Sequence, residues 1–491
     1  MKPHYFFNLA RLCGGVTLAL LAPTIQAQQA IAIHSFAAFT NFSQTNYDGS
    51  GPTAGLLLVG TNLYGTAVSG GAYSQGTLFA ISTNGVGFTN LHNFGKPLPV
   101  DAKKPRCNLV RVGNRVYGTL SEGGTTDSGG IFGINLDGTG YSNFYTFNVV
   151  VLDTTIFAST NKDGAFPWAG LAAAGNMLYG VTVSGGKFGS GTIFGMRTNG
   201  TGFTNLHNFA RTPISSGTNN EGAAPYSALI LSGGILYGMA SHGGTNTYGT
   251  VFGISTNGTG FTNLHNFVLD SDGGQPVDGS LLLADNVLYG AAYFGGPFGT
   301  GTIFKLNTDG TGFTVLHPFP AQPPPPGTNT DGAAPHATLI LSGATLVGTC
   351  TGGGMNGTGT IFTLKTNGND FAVIYHFSAN NTSNLDGAYP RPGVVLADNT
   401  LYGTAEDGGT NGRGSVYSFP LTVPPPLAIA RNGANALVSW PTAAVGFDLQ
   451  SCNNLLAANW TNTTGNLAVV NTNFVFTNFL TGPSTFFRLR R

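Results

Sequence analysis

The sequence predicts an all-β protein: a seven-bladed β-propeller of four-stranded blades, closed by the N-terminal strand, followed by a small C-terminal β-sandwich. Three observations carry this. A unit recurs seven times, each a Leu-Tyr-Gly step in most copies, a Gly-Gly pair, four further residues, then a Gly leading to an aliphatic and an aromatic residue. The pairs begin at Gly70, Gly123, Gly185, Gly243, Gly295, Gly353 and Gly408, a period of 52 to 62 residues that marks stacked supersecondary units. Between the third and fourth runs of the seven units only six Asn-Gly or Asp-Gly turns occur, and a spare strand near the N-terminus matches what the last unit lacks.

Within the first copy, Gly55 to Val59 is an apolar run, and Thr61-Asn62 turns it into Leu63 to Val68. Gly70-Gly71 ends that run, Thr77 to Ser82 forms a third, and Phe88 to Phe94 a fourth. Strands apolar on both faces suit a blade packed between two neighbours. The turns Asn84-Gly85, Asp137-Gly138, Asn199-Gly200, Asn257-Gly258, Asp309-Gly310 and Asn367-Gly368 join the third strand to the fourth, and Asn-Gly or Asp-Gly there predicts tight primed turns. The last unit stops at Gly414-Ser415-Val416-Tyr417, whereas Ile31 to Phe36 has the form of a fourth strand with no unit before it. Pairing the two closes the ring and removes exposed sheet edges.

The flanks differ from the repeats. Lys2 and Arg11, the apolar stretch Leu12 to Ile25 and the small Ala27 predict a signal peptide over residues 1–27, too short to span a membrane. Cys13 lies at the start of the apolar run and not after it, so lipid attachment is not expected. The predicted organisation is a signal peptide at 1–27, the propeller at 28–420, a proline-rich linker at 421–426 and a β-sandwich-like module at 427–491. The expected location is secreted or at the cell surface, with no transmembrane segment after cleavage. Only 8% of residues are charged, against about 25% in ordinary domains, and the net charge is zero. That excludes a nucleic-acid footprint and a polybasic membrane surface.

The repeat resembles the GloVer tandem repeat of secreted bacterial proteins, through its LYGT, Gly-Gly, GTxF and FxxLHxF elements over nearly all of residues 48–417. The resemblance implies an extracellular location and no particular activity. The short sorting tail that often accompanies the family is missing. In its place stands a module with Trp440 and Trp460, whose Ser439-Trp440-Pro441, Phe447-Asp448-Leu449-Gln450 and Phe486-Phe487-Arg488-Leu489 are similar to C-terminal modules of other exported bacterial proteins. The Gly-Gly doublet is kelch-like, but the kelch Tyr and Trp spacing is not met.

Four sets of residues are candidates for chemistry. His34, His92, His207, His265 and His317 share one slot in the fourth strand, which Tyr145 and Tyr375 fill elsewhere; tyrosine ligates poorly, so packing is expected there. An acid precedes each first strand and is followed by a proline: Asp48, Asp101, Asp163, Glu221, Asp272, Asp331 and Asp386. These carboxylates are expected to cap backbone N–H groups. The sharper alternative is a ring of carboxylates binding calcium or a cationic ligand, although one acid per blade lacks the oxygen cluster calcium needs. The residue before each Gly-Gly varies, as Ser69, Glu122, Ser184, His242, Phe294, Gly352 and Asp407. A rigid frame with differing loop tips is how binding surfaces are built, so Glu122, His242, Phe294 and Asp407 are the candidate ligand-binding residues. Lastly, Lys96, Lys103, Lys104 and Arg106 form a basic cluster, and Phe147 to Asp163 is the longest insertion; either is a solvated loop or a partner surface.

No nucleophile with its base, paired carboxylate or metal triad is visible, so no catalytic residue, metal site or cofactor is assigned. Cys107, Cys350 and Cys452 lack metal or disulfide spacing, and Cys350 fills a small core slot. The expected function is a non-catalytic, monomeric binding or display scaffold at the cell surface, with an extracellular glycan or surface protein as partner and no nucleic acid. The alternative is a carbohydrate-active hydrolase or lyase that draws on carboxylates at the propeller mouth, with Glu122 and Asp407 beside the turn acids.

Overall fold

Each repeat supplies four short strands too apolar to leave either face in water, and the chain meets that demand by stacking repeats. The computed structural model describes residues 29–490 apart from 41, 97–100, 214–215, 323–328, 337, 381–383, 422–426, 433–434, 442–447, 453–460, 464–466, 471–472 and 480–485. The expected signal peptide with Cys13, most of the expected proline-rich linker, Phe447 and Trp460 therefore lie outside the described residues. Two compact units result, one over residues 30–397 and 401–419 and one that includes residues 420–491.

In the larger unit the first repeat folds as Leu57–Val59, Asn62–Ala67, Thr77–Ser82 and Thr89–Asn93, antiparallel and in chain order. Among the described residues the repeats form seven such four-stranded sheets, giving an all-β, propeller-like architecture. The seventh sheet takes its outer strand from the N-terminus: Ile31–Ser35 pairs with Ser415–Pro420, Ala32 opposite Tyr417 and His34 opposite Val416. The first repeat also bonds to the last, through Thr404 Oγ1 to the Ala54 carbonyl (3.1 Å) and Gly51 N–H to the Arg413 carbonyl (3.0 Å). The second and third strands are buried on both faces, which is why they show no alternation of apolar and polar residues. Gly65 of the Leu-Tyr-Gly step makes room for an aromatic ring, since a Cβ there would lie 2.6 Å from the Phe79 ring.

The turn between third and fourth strands departs from expectation. Gly85 has φ 81°, but Asn84 is not left-handed, and Gly85 N–H donates to the Ser82 carbonyl while Ser82 N–H donates to that of Val86. This is a type I turn followed by a glycine bulge, not a primed turn. The side chain explains the Asn or Asp: Asn84 Oδ1 accepts the Val86 N–H at 3.0 Å, and Asp137 Oδ1 accepts both the N–H and the hydroxyl of Thr139. Primed geometry occurs instead between the first and second strands, where Asp285 and Asn286 have φ 48° and 62°.

The histidine slot and the acid slot are two halves of one device. His34 Nε2 lies 3.0 Å from Asp48, His207 Nε2 3.1 Å from Glu221 and His265 Nε2 2.8 Å from Asp272. His92 and His317 face Asp101 and Asp331 at 3.4 and 3.6 Å. Tyr145 and Tyr375 donate their hydroxyls to Asp163 and Asp386 at 2.6 and 2.5 Å, so tyrosine preserves the donor. Because a carboxylate only accepts, His34, His92, His207 and His265 each carry a proton on Nε2, whereas His317 Nε2 is too far from Asp331 for a hydrogen bond. In every pair the donor sits on the outer strand of one repeat and the acid opens the next. The six rings from His34 to His317, Tyr145 included, also stack on an aromatic of the following repeat, at 3.6 to 4.1 Å between centroids. Most acids cap a backbone N–H as well, as Asp48 does for Ala37 and Asp272 for Val268. Two residues beyond each donor, a fully buried ring from Phe36 to Phe377 meets the third-strand aromatic of the next repeat edge-on, Phe36 on Phe79 at 5.4 Å and Phe377 on Tyr417 at 5.1 Å. Such ring pairs contribute about 0.5–1.5 kcal/mol each beyond their burial.

An asparagine two positions before the acid completes the joint. Asn46 Oδ1 accepts the N–H groups of Gly49 and Gly71 at 3.0 and 2.8 Å, and its amide donates to the carbonyls of Ala37 and Gly49. Asn161, Asn219 and Asn384 repeat the bond to the second Gly of the pair. The first Gly is required by the same contact: Gly70 has φ 70°, and a Cβ there would sit 2.6 Å from Asn46 Oδ1.

The smaller unit holds two sheets. One contains Ala428–Asn432, Asn435–Pro441, Asn473–Phe479 and Leu467–Val470, the other Thr461–Asn462, Asp448–Cys452 and Phe486–Arg490. Val438, Trp440 and Phe476 of the first share a core with Leu449, Phe487 and Leu489 of the second. Cys107, Cys350 and Cys452 are buried free thiols, and burial raises the pKa of Cys107 and Cys350.

Removing residues 28–38 deletes a paired strand and Phe36, whose loss alone costs roughly 3–5 kcal/mol. The melting temperature is expected to fall by about 5 °C or more, and an unchanged melt would show that the N-terminal strand adds nothing. The histidine joints predict a pH dependence. Burial lowers the pKa of His207, His265 and His317, outweighing the carboxylate beside each. A folded pKa below the unfolded value of about 6.5 means their stabilisation is complete above that pH and is lost as pH falls through the folded value. Melting should occur at lower temperature at pH 5.5 than at pH 7.5, and His265→Phe should flatten that dependence.

Candidate binding site at the converging loops

The loop that opens each repeat is built around its proline. The residue before it is left-handed in all seven repeats: Gly51 in the first, then Lys104, Phe166, Ala224, Gln275, Ala334 and Tyr389 with φ between 50° and 61°. Six non-glycine residues in this conformation are unusual, the more so before proline, and each costs of order 1 kcal/mol. The neighbouring repeat holds the strain. The N–H of Ala224 donates to the Ser190 carbonyl, that of Ala334 to Thr300 and that of Tyr389 to Thr358, each at 2.9 Å.

This bend delivers the residue after each proline, and that position varies freely: Thr53, Arg106, Trp168, Tyr226, Val277, His336 and Arg391. The structure gathers several of them into one cleft, lined by Thr53, Arg106, Asn108, Trp168, Asp278 and Thr338 among others. These residues come from the openings of repeats one, two, three, five and six, so the cleft belongs to the convergence of the loops and to no single repeat. Loop-to-loop bonds brace it: Asn108 Oδ1 accepts the Gly55 N–H at 2.6 Å, and Thr338 Oγ1 accepts the Ser280 N–H at 2.9 Å.

One side of the cleft is aromatic and cationic. The Arg106 guanidinium lies 4.7 Å above the Trp168 ring, which Tyr226 meets edge-on at 5.3 Å. Asp278, which lines the cleft, also belongs to an ionic chain. Arg391 Nε donates to Asp278 at 3.1 Å, Arg391 Nη1 donates to Glu406 at 3.3 Å, and His336 Nδ1 lies 3.3 Å from Asp278. Tyr293 packs on His336 at 4.2 Å between ring centroids. Burial pushes the Asp278 pKa up, but the hydrogen bond and charge of His336, then the charges of Arg391 and Arg106, outweigh it and leave the carboxyl below its usual range. Burial, then the Asp278 charge, raises the pKa of Tyr226. Two buried polar atoms at the cleft, Thr53 Oγ1 and Arg106 Nε, have no hydrogen-bond partner.

The residues before Gly-Gly are placed elsewhere. Each bridges to the residue two positions after the recurrent acid, Glu122 to Lys103, His242 to Ala223, Phe294 to Gly274 and Asp407 to Ala388. None of the four lines the cleft, and among the described residues no hydrogen bond, ion pair or ring contact joins any two of them. His242 Nδ1 lies 2.8 Å from the Ser241 hydroxyl, Phe294 is 46% exposed, and burial, partly offset by Arg413, raises the pKa of Asp407. The basic cluster also separates: Lys103 pairs with Asp127 at 3.2 Å, burial lowers the pKa of Lys104, and only Arg106 turns to the cleft. The insertion forms a hairpin, Val151–Asp153 against Ala158–Thr160, with Leu152 and Phe157 exposed. Among the described residues no group of three His, Cys, Asp or Glu is placed to hold a metal ion, and no helix is long and apolar enough to cross a membrane.

Residues 150–326 and 272–424 match the family model described as the Gloeobacter/Verrucomicrobia repeat. The chain belongs to that repeat family. No curated protein matches the sequence. Among solved structures, the puromycin-hydrolyzing peptidase of Mycobacterium tuberculosis is similar at 12% identity and TM-score 0.44, over 83% of this chain and 62% of that one. The oligogalacturonate lyase of Vibrio parahaemolyticus is similar at 7% identity and TM-score 0.43, over 81% and 99%. TolB from Acinetobacter baumannii is similar at 12% identity and TM-score 0.34, over 60% and 58%. The matched stretch of the Gloeobacter/Verrucomicrobia repeat contains the loops that carry Trp168, Tyr226, Asp278, His336 and Arg391.

Because Ala224 already occupies a left-handed conformation, Ala224→Gly is expected to leave the urea midpoint unchanged or raise stability by up to about 1 kcal/mol. A loss of more than about 1 kcal/mol would show that the loop is not strained.

Proposed function

We propose that the seven sheets close into one seven-bladed propeller and that its central cleft binds a ligand without transforming it, most simply a segment of an extracellular glycan. The observation that carries this is the contrast between a loop held alike in every repeat and the chemically diverse side chains that follow its proline, of which Thr53, Arg106 and Trp168 line the cleft. A conserved frame with variable tips is a recognition surface. The pairing of Ile31–Ser35 with Ser415–Pro420 and the bonds between first and last repeat support closure. Trp168 and Tyr226 offer flat apolar surface, and Arg106, Asn108, Thr53 and Asp278 offer polar groups around it, the usual composition of a small-ligand site.

Hydrolysis is the weaker reading on one specific point. Glycoside cleavage needs a carboxylic acid held protonated beside a second carboxylate. Asp278 is instead held ionised by His336 and Arg391, and Glu406 is paired with the same arginine. The signal-bearing N-terminus and the sequence of the C-terminal module support an exported protein that acts at the cell surface. The two-sheet module, a small sandwich in this reading, serves attachment or display, and the residues Glu122, His242, Phe294 and Asp407 supply secondary contacts at most.

A glycan array followed by a reducing-sugar assay tests the proposal. Binding without sugar release is expected, and Trp168→Ala should weaken it about tenfold or more. Release that disappears in Asp278→Asn, Glu122→Gln or Asp407→Asn would establish a hydrolase or lyase in place of a binding protein.

A further inference from the structure

The two arginines of the cleft are in different states. Arg391 is satisfied by Asp278 and Glu406. Arg106 has no carboxylate within ion-pair distance among the described residues; its guanidinium rests on the Trp168 ring, and its Nε–H is buried with no acceptor. The Thr53 hydroxyl at the same cleft is also buried and unpaired. An unpaired buried donor costs about 1–3 kcal/mol, more on a charged group, and native proteins keep such groups where something else completes them. Asp278 does not complete Arg106: its Oδ2 faces Arg391 and His336, and Arg106 forms no ion pair with it. The missing partner is therefore an acceptor that enters from outside, and a guanidinium selects a planar oxyanion for the purpose.

We infer that the cleft recognises an acidic sugar, with the ligand's carboxylate on Arg106 and Thr53 and its ring against Trp168 and Tyr226. This rests on the binding reading above and adds the charge of the ligand to it. Stacking on Trp168 fixes the plane of the guanidinium, so the carboxylate is met by a preset fork and the ordering cost of a free arginine is avoided. A neutral sugar leaves Arg106 Nε unpaired and loses that contact.

The test is isothermal titration of the full chain with hexuronic-acid oligosaccharides and with the same oligosaccharides after reduction of the carboxyl groups to alcohols. The acidic series should bind at least about tenfold tighter, and the preference should weaken as salt rises. Arg106→Gln should erase the preference, and Arg106→Lys should keep part of it, because charge survives while the fork is lost. Melting curves of both variants confirm that they remain folded. Equal affinity for the two series would overturn the acidic assignment while leaving glycan binding in place. Binding of neither would overturn both. Inorganic sulfate or phosphate binding as tightly as the uronate would identify a simple oxyanion site and overturn the sugar.

Discussion

The joint between successive repeats is the constraint on which the rest depends. A four-stranded sheet with both faces apolar has no stable existence in water, so each repeat needs a neighbour on either side. The joint supplies it with a fixed set of parts. A His or Tyr on one outer strand reaches the acid that opens the next repeat, its ring stacks on an aromatic of that repeat, and a buried phenylalanine two residues on fills the space between. Hydrogen bond, stack and packing agree on one register. The same acid and the asparagine before it hold the turn that leads to the proline, so the geometry of the cleft is inherited from the geometry of the joint.

That dependence explains how a repetitive chain presents a single irregular site. The left-handed residue before each proline is costly, and its N–H is tied to the preceding repeat, so the strain persists only while the neighbour is in place. Given that frame, the next side chain is free of structural duties. Threonine, arginine, tryptophan, tyrosine, valine, histidine and arginine occupy equivalent positions, and the first three, Thr53, Arg106 and Trp168, line the cleft. Asp278 is committed to the ionic chain with Arg391 and Glu406, whereas Arg106 rests on Trp168 with no carboxylate at ion-pair distance among the described residues.

Much of the fold was legible in the sequence because the repeat samples its rules seven times over. Strand number and order follow from the spacing, and the structural role of the histidines follows from the tyrosines that replace them. What sequence order conceals is which parts meet. His265 and Asp272 read as members of two separate sets, although the chain brings them to 2.8 Å. The asparagine contact that demands the first Gly of the pair is likewise visible only in three dimensions. The turn chemistry misled for a local reason: Asn-Gly serves both primed turns and type I turns with a bulge, and the Asx hydrogen bond selects the second. As for the site, variation before Gly-Gly and variation after proline look alike along the chain. Only the convergence of the opening loops distinguishes them, since it brings Arg106, Trp168 and Asp278 together and leaves Glu122, His242, Phe294 and Asp407 apart.

The central claim is a division of labour, in which recurrent residues build the stacked sheets and post-proline residues equip the cleft. Urea unfolding of two variants tests it most directly. Replacing Arg106, Trp168 and Tyr226 together by Gln, Leu and Leu should move the midpoint less than the single joint substitution Tyr375→Leu, which leaves the buried Asp386 carboxylate with the Ser378 N–H and without its hydroxyl donor. If the triple cleft variant instead unfolds more readily than the joint variant, those side chains hold the fold together and the division fails.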